Sequence, residues 1–149
     1  MLFRSVNAHK HFHLHPTVLG LILRIGRDFG LQAMRLPREA GGPLLLRPWL
    51  ALLRRRLEHA GIAHNDFVIG LSSSGAMDET AVLAALDRLP HGVVEMYLHP
   101  AVSSGARIGA SMPGYRHADE LAALLSPRVR AAAERVAPRR GGFADLLAA

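Results

Sequence analysis

Over residues 6–14 apolar and polar positions alternate. Val6, Ala8, Phe12 and Leu14 fall mostly on one side, with Asn7, His9, His11 and His13 on the other. A period of two marks an extended strand with one polar face. Pro16 suits the first turn of a helix. Val18, Leu19, Ile22, Ile25 and Phe29 follow as its buried stripe, and Gly30 is its stop. Residues 31–36 read as a short strand closed by Pro37, and residues 41–43 (Gly-Gly-Pro) as a loop.

A second amphipathic helix places Leu46, Trp49, Leu50, Leu53, Leu57 and Ala60 on one face, before Gly61. Residues 67–71 form a buried strand, and the loop Ser72-Ser73-Ser74-Gly75 leads to a helix with Asp78 as N-cap. Val82, Leu83, Leu86 and Leu89 are the inner face of that helix, which Pro90 and Gly92 end. Residues 93–98 are the next strand, followed by His99-Pro100. Two more helices cover 118–125 and 127–136, the second capped by Ser126. Residues 141–149 add a last short strand or pack on the surface. Strands followed by helical material are the pattern of parallel βα units, so the fold class is α/β. Four or five such strands make a small open sheet or half of a barrel, and the pattern does not choose between them.

Composition narrows the function classes. The chain has 149 residues, 50% of them apolar and 20% charged, which suits one folded domain. Cysteine is absent, which excludes disulfides, thiolate metal sites and cysteine nucleophiles. The longest apolar run, residues 18–23, is too short to span a bilayer. The first residues lack the pattern of a secretion signal, so a cytoplasmic protein is expected. The net charge of +6 is carried almost wholly by arginine, with Lys10 the only lysine. These arginines are spread along the chain, and the dense run Arg54-Arg55-Arg56 lies mostly on the outer face of a helix. No zinc-finger spacing, aromatic RNA-binding strand or basic heptad accompanies them, so no nucleic-acid partner is expected.

Histidine carries the candidate chemistry. On a strand, His9, His11 and His13 would point the same way, about 7 Å apart. Such histidines can share a metal, or one can bind it while its neighbours hydrogen-bond substrate. His99 stands at the end of a predicted buried strand, where α/β folds place their sites. The loop of residues 72–77 lacks the second glycine of a serine-hydrolase elbow and the lysine of a phosphate loop, and reads as a substrate-facing loop or a plain strand-to-helix turn. His59, His64, His91 and His117 fall on loops and helix ends and read as surface residues.

Four stretches carry a resemblance that runs in order along nearly the whole chain. They are VNAHKHFHLH (6–15) followed by Pro16-Thr17, GLSSSGAM (70–77), LPHGVVEMYLHPA (89–101) and YRHADELAALLSP (115–127). Together they resemble the YdjC-like carbohydrate deacetylases, most closely the branch associated with hopanoid biosynthesis. The resemblance implies a distorted (β/α) barrel that binds one divalent metal, magnesium or zinc, and removes an acetyl group from an N-acetylated sugar. In that branch a hopanoid-linked N-acetylglucosamine would be the substrate. The family's metal is held by an Asp of an Asp-Asp pair, an earlier His and the first His of the cluster, which falls on His9. The resemblance further suggests His11 and His13 as residues that contact the sugar or support the site. His99 is then the candidate acid that protonates the leaving amine.

No Asp-Asp pair occurs in the 149 residues, and Asn7 stands where many members carry Asp. The chain therefore matches the C-terminal half of the family's barrel, a single partial domain over residues 1–149. By itself it is expected to be inactive, and to self-associate through the edges that a half-barrel leaves uncovered. The alternative is a non-catalytic remnant that self-associates or binds metal weakly.

Overall fold

The computed structural model describes residues 5–102, 112–143 and 145, and the chain divides into two compact units. Residues 1–67 and 140–149 form the first and residues 68–139 the second.

In the first unit, strand β1 (Ser5–Val6) pairs in parallel with β2 (Ala33–Met34), and Ala63 bridges Ala33 on the parallel side. Helix α1 (Pro16–Asp28) connects the two strands, and α2 (Arg47–His59) follows β2. Both helices end in the same way. Gly30 and Gly61 take left-handed angles (φ 71° and 67°). One residue on, the Leu31 N–H donates to the Gly26 carbonyl at 2.8 Å and the Ile62 N–H to the Leu57 carbonyl at 2.9 Å. These bonds satisfy helix-end carbonyls and turn the chain back toward the sheet. Leu19, Leu31, Met34, Leu36, Leu50, Leu53 and Leu57 form the core of this unit. A buried amide completes it. Asn65 accepts from the Leu36 N–H at 2.8 Å and donates to the Leu36 carbonyl at 2.7 Å.

The second unit, which begins within β3 (Phe67–Ile69), pairs that strand with β4 (Val94–Met96) and packs three helices, α3 (Glu79–Asp87), α4 (His117–Leu125) and α5 (Pro127–Val136). Met77, Val82, Leu86, Ala123, Val129 and Ala132 are its core. The predicted caps are present. The Asp78 carboxylate accepts from the Ala81 N–H at 3.0 Å, and the Ser126 hydroxyl from Arg128 N–H at 3.2 Å and Val129 N–H at 3.4 Å.

Short parallel pairing and intervening helices give a mixed α/β fold, as the sequence pattern requires. Three expectations change. The alternating segment 6–14 is a strand only at its start. From His9 to Leu14 the chain winds into 3-10 turns, because β1 finds only two residues of β2 to pair with. The inner stripe of α1 is buried at Leu19, while Ile25 and Phe29 are about half exposed. With Val6, Val18, Leu21, Ile22, Gly26 and Leu31 they line an open apolar cavity of about 380 Å³. Leu46, assigned to the buried face of α2, is exposed in a 3-10 turn, Leu44–Leu46. The tail 141–149 lies largely outside the described residues. No helix among the described residues is long and apolar enough to cross a membrane.

Candidate functional site

The sequence-predicted histidines fall into both units. His9, His11 and His13 follow β1 in the first, and His99 follows β4 in the second.

The histidine segment is a strained turn. Lys10 (φ 47°, ψ 29°) and His11 (φ 56°, ψ 33°) occupy the left-handed region in succession. Side chains with a Cβ visit this region rarely, and each such residue costs on the order of 1 kcal/mol or more. The turn is held from outside. The His11 N–H donates to the Ala8 carbonyl at 3.1 Å, and the Trp49 indole N–H of α2 donates to the Leu14 carbonyl at 3.0 Å. The histidines therefore do not share one face. His9 is exposed, His11 half-buried and His13 buried. The His11 and His13 rings meet edge to face with centroids 5.8 Å apart. His15 has a local task, its Nδ1 accepting from the Thr17 N–H at 3.3 Å to cap α1.

Around His99 the second unit gathers residues from three segments. The His99 N–H donates to Oε2 of Glu120 at 2.5 Å, and Oε1 of the same carboxylate accepts from the Met77 N–H at 3.2 Å. Glu120 is completely buried. One side chain of α4 thus ties the end of β4 to the loop after β3. On its other side the His99 carbonyl faces Nδ1 of His117 at 2.5 Å. A carbonyl can only accept, so Nδ1 of His117 carries the proton there.

The His99 ring lies edge-on between Tyr97 (4.6 Å) and Tyr115 (5.0 Å), and the Tyr115 ring also lies 5.7 Å from that of His117. The Tyr115 hydroxyl shares a 2.9 Å hydrogen bond with Ser74. Gly75, at φ 80°, leaves the space that the Tyr115 ring fills, and a Cβ there would collide with it. The loop of residues 72–77 is thus a strand-to-helix turn whose serine and glycine support a tyrosine. A half-buried imidazole with its backbone fixed on both sides can deliver or accept a proton at a defined point.

Two residues read as surface are not. His117 contributes to this cluster, and the His64 side chain is mostly buried, with Nδ1 at 3.0 Å from the Asn65 carbonyl. Glu120 went unrecognised in the sequence because an acid in the first turn of a helix ordinarily faces solvent and the helix dipole. Its three-residue spacing from the buried Ala123 was the available signal.

The donors among the described residues do not make a complete metal centre. Among the described residues no three His, Asp or Glu side chains gather in a group that could hold an ion. A catalytic divalent ion takes about three protein ligands. Asp78, the carboxylate nearest in sequence to the Ser74–Met77 loop, is occupied as a helix cap and ion-paired with Arg116 at 2.9 Å.

Comparison with known proteins adds three findings. The family described as YdjC-like protein matches residues 5–135. No curated protein matches the chain. A crystal structure from Enterococcus faecalis V583, of a protein provisionally named for cellobiose-phosphate cleavage, superposes with a TM-score of 0.67 at 21% identity. The superposition covers 95% of this chain and 52% of that one, so this chain spans about half the length of the protein it matches. At that identity the likeness shows the fold alone.

Proposed function

Since the chain belongs to the YdjC-like protein family, we propose that it serves in the hydrolytic deacetylation of an N-acetylated sugar, the histidine turn of its first unit and His99 of its second each contributing to the reaction. The observation that carries this reading is the strained Lys10–His11 turn. Two successive left-handed residues in a segment of closely spaced histidines are kept against their backbone cost, and such strain clusters at functional sites. His9, exposed on that turn, would be one ligand to a divalent ion, zinc or magnesium, and such an ion would supply electrophilic activation of the acetamide carbonyl. His11 contacts the sugar, with the buried His13 behind it fixing its ring. His99 holds the proton that the leaving amine takes up as the C–N bond breaks.

The fold in this reading is half of a distorted (β/α) barrel. The exposed apolar stripe of α1 supports association of the chain with a second copy. A hopanoid-linked N-acetylglucosamine is the narrower form of the proposal, supported by the sequence resemblance.

The test combines binding and turnover. Histidine ring-proton NMR, followed while N-acetylglucosamine and then glucosamine are added, is expected to shift His11 and His99 with the acetylated sugar first. Acetate release with zinc or magnesium, where it occurs, is expected to fall by about 10²–10⁴-fold in His99→Ala. His9→Ala is expected to weaken zinc binding by calorimetry. Histidine resonances unmoved by tens of millimolar sugar, together with no acetate release, would overturn the reading.

A further inference from the structure

Three leucines in a row project from the first unit. Leu44 is 68% exposed, Leu45 94% and Leu46 45%. They form a 3-10 turn that runs directly into α2, since Leu46 and Arg47 both have right-handed helical angles. Steps of three and four residues bring Leu45, Pro48, Leu52 and Arg55 onto one outer face, and Leu52 is also 46% exposed. The opposite face carries the buried Leu50, Leu53 and Leu57. The start of α2 is thus apolar on two sides, and only one is used by the core.

A protruding leucine turn differs from the concave surface that a ligand enters. Its base is fixed by the Trp49 hydrogen bond to Leu14. Its rim is cationic. Arg47 and Arg55 are exposed and make no ion pair among the described residues, whereas Arg54 is engaged by Glu58 at 2.8 Å and Asp66 at 3.6 Å. The chain as a whole carries +6. A second copy meeting this face in a two-fold pair would bring the same arginines together, which opposes such a dimer. A deformable anionic surface accepts both features at once, with leucines entering the acyl boundary and guanidinium groups remaining among anionic headgroups.

We infer that the Leu44–Leu46 turn and the start of α2 dock the chain peripherally on an anionic lipid bilayer. The contact needs neither the histidine site nor any enzymatic turnover. The leucines supply apolar insertion, and Arg47 and Arg55 supply the preference for negative charge.

Sedimentation with vesicles of phosphatidylcholine, alone and mixed with phosphatidylglycerol, tests it directly. The whole chain is expected to pellet with the mixed vesicles and to be released by salt. Leu45→Ser is expected to lower the partition coefficient on the order of tenfold, and Arg47→Gln about fivefold on mixed vesicles only. Leu45→Trp keeps an apolar side chain and is expected to shift its emission to the blue on binding, which covers the case of a serine variant that fails to fold. Equal binding to neutral and anionic vesicles, or none, overturns the inference. So does unchanged binding by Leu45→Ser, which would leave only surface charge. A lipid-free dimer that Leu45→Ser disperses would likewise overturn it, by making the turn a protein interface.

Discussion

Replacing Glu120 by glutamine tests whether a single buried carboxylate holds the second unit's site together. In the native chain its two oxygens accept from two backbone N–H groups, those of Met77 at 3.2 Å and His99 at 2.5 Å. Glutamine offers one oxygen and one NH2 group, so one of the two N–H groups faces another donor. An unsatisfied donor in the interior costs about 1–3 kcal/mol. The remaining bond loses its charge assistance, which roughly halves its strength. Together these give a loss of about 2–4 kcal/mol for Glu120→Gln. Alanine strands both donors and leaves a cavity, for roughly 3–6 kcal/mol.

An apolar isostere offers no relief here. Exchanging a buried ion pair for well-packed hydrophobic residues can be neutral when both partners are replaced. The partners of Glu120 are the main-chain N–H groups of Met77 and His99, which a change at position 120 leaves in place, so Glu120→Leu is also expected to destabilise. Urea denaturation is the assay. With a slope of about 1–2 kcal/mol per molar, the glutamine midpoint should fall by about 1–4 M and the alanine midpoint further. Amide exchange at Met77 and His99 should accelerate in both variants. Stability within about 0.5 kcal/mol of wild type, or unchanged exchange at these two amides, would refute the reasoning.

Other expectations are local. The Asp78 carboxyl is held below the ordinary carboxylate range by the Ala81 N–H and then by Arg116. Folding therefore favours its ionised form, and the stabilisation is present above the usual Asp range and lost as pH falls through the lowered value. Asp78→Asn keeps the cap oxygen and should flatten the acid side of a stability-versus-pH curve below about pH 4, read by thermal melts. Gly75→Ala puts a Cβ against the Tyr115 ring at φ 80° and should cost about 1–3 kcal/mol while altering the near-ultraviolet tyrosine dichroism. Ser126→Ala removes the acceptor for two N–H groups of α5, and its chemical denaturation midpoint should report a loss of about 1 kcal/mol.

The parts of the fold that depend on local chemistry were legible in the sequence. The caps at Asp78 and Ser126 and the stops at Gly30 and Gly61 are decided within a few residues, and the structure shows each. The stripe Leu50, Leu53 and Leu57 was equally plain, because a helix buries one face whatever it packs on. Features that depend on a distant partner were not legible. Alternation over residues 6–14 fits a strand, but a strand extends only as far as its neighbour does, and β2 supplies two residues. Leu46 and Phe29 keep helical phase with buried positions, yet periodicity cannot say whether anything lies opposite them. His99 was found from its place at a strand end. The groups that hold it, Glu120 and His117, come from 18 to 21 residues further along the chain, and no local pattern announces such a contact.

The Asn65 amide has a consequence for alignment. The segment that carries Asn65 meets β2 at a single parallel bridge, Ala63 to Ala33, and one bridge alone says little about which residue should face which. Asn65 removes that freedom by grasping the N–H and the carbonyl of one residue, Leu36. Donor and acceptor must be presented together, so the amide recognises one backbone position as a key recognises one tumbler, and aspartate in its place could satisfy only half of it. The sheet in this unit is therefore indexed by a side chain rather than by the length of its strands. The indexing sets where β2 ends and where the chain leaves the sheet toward the leucine turn and α2.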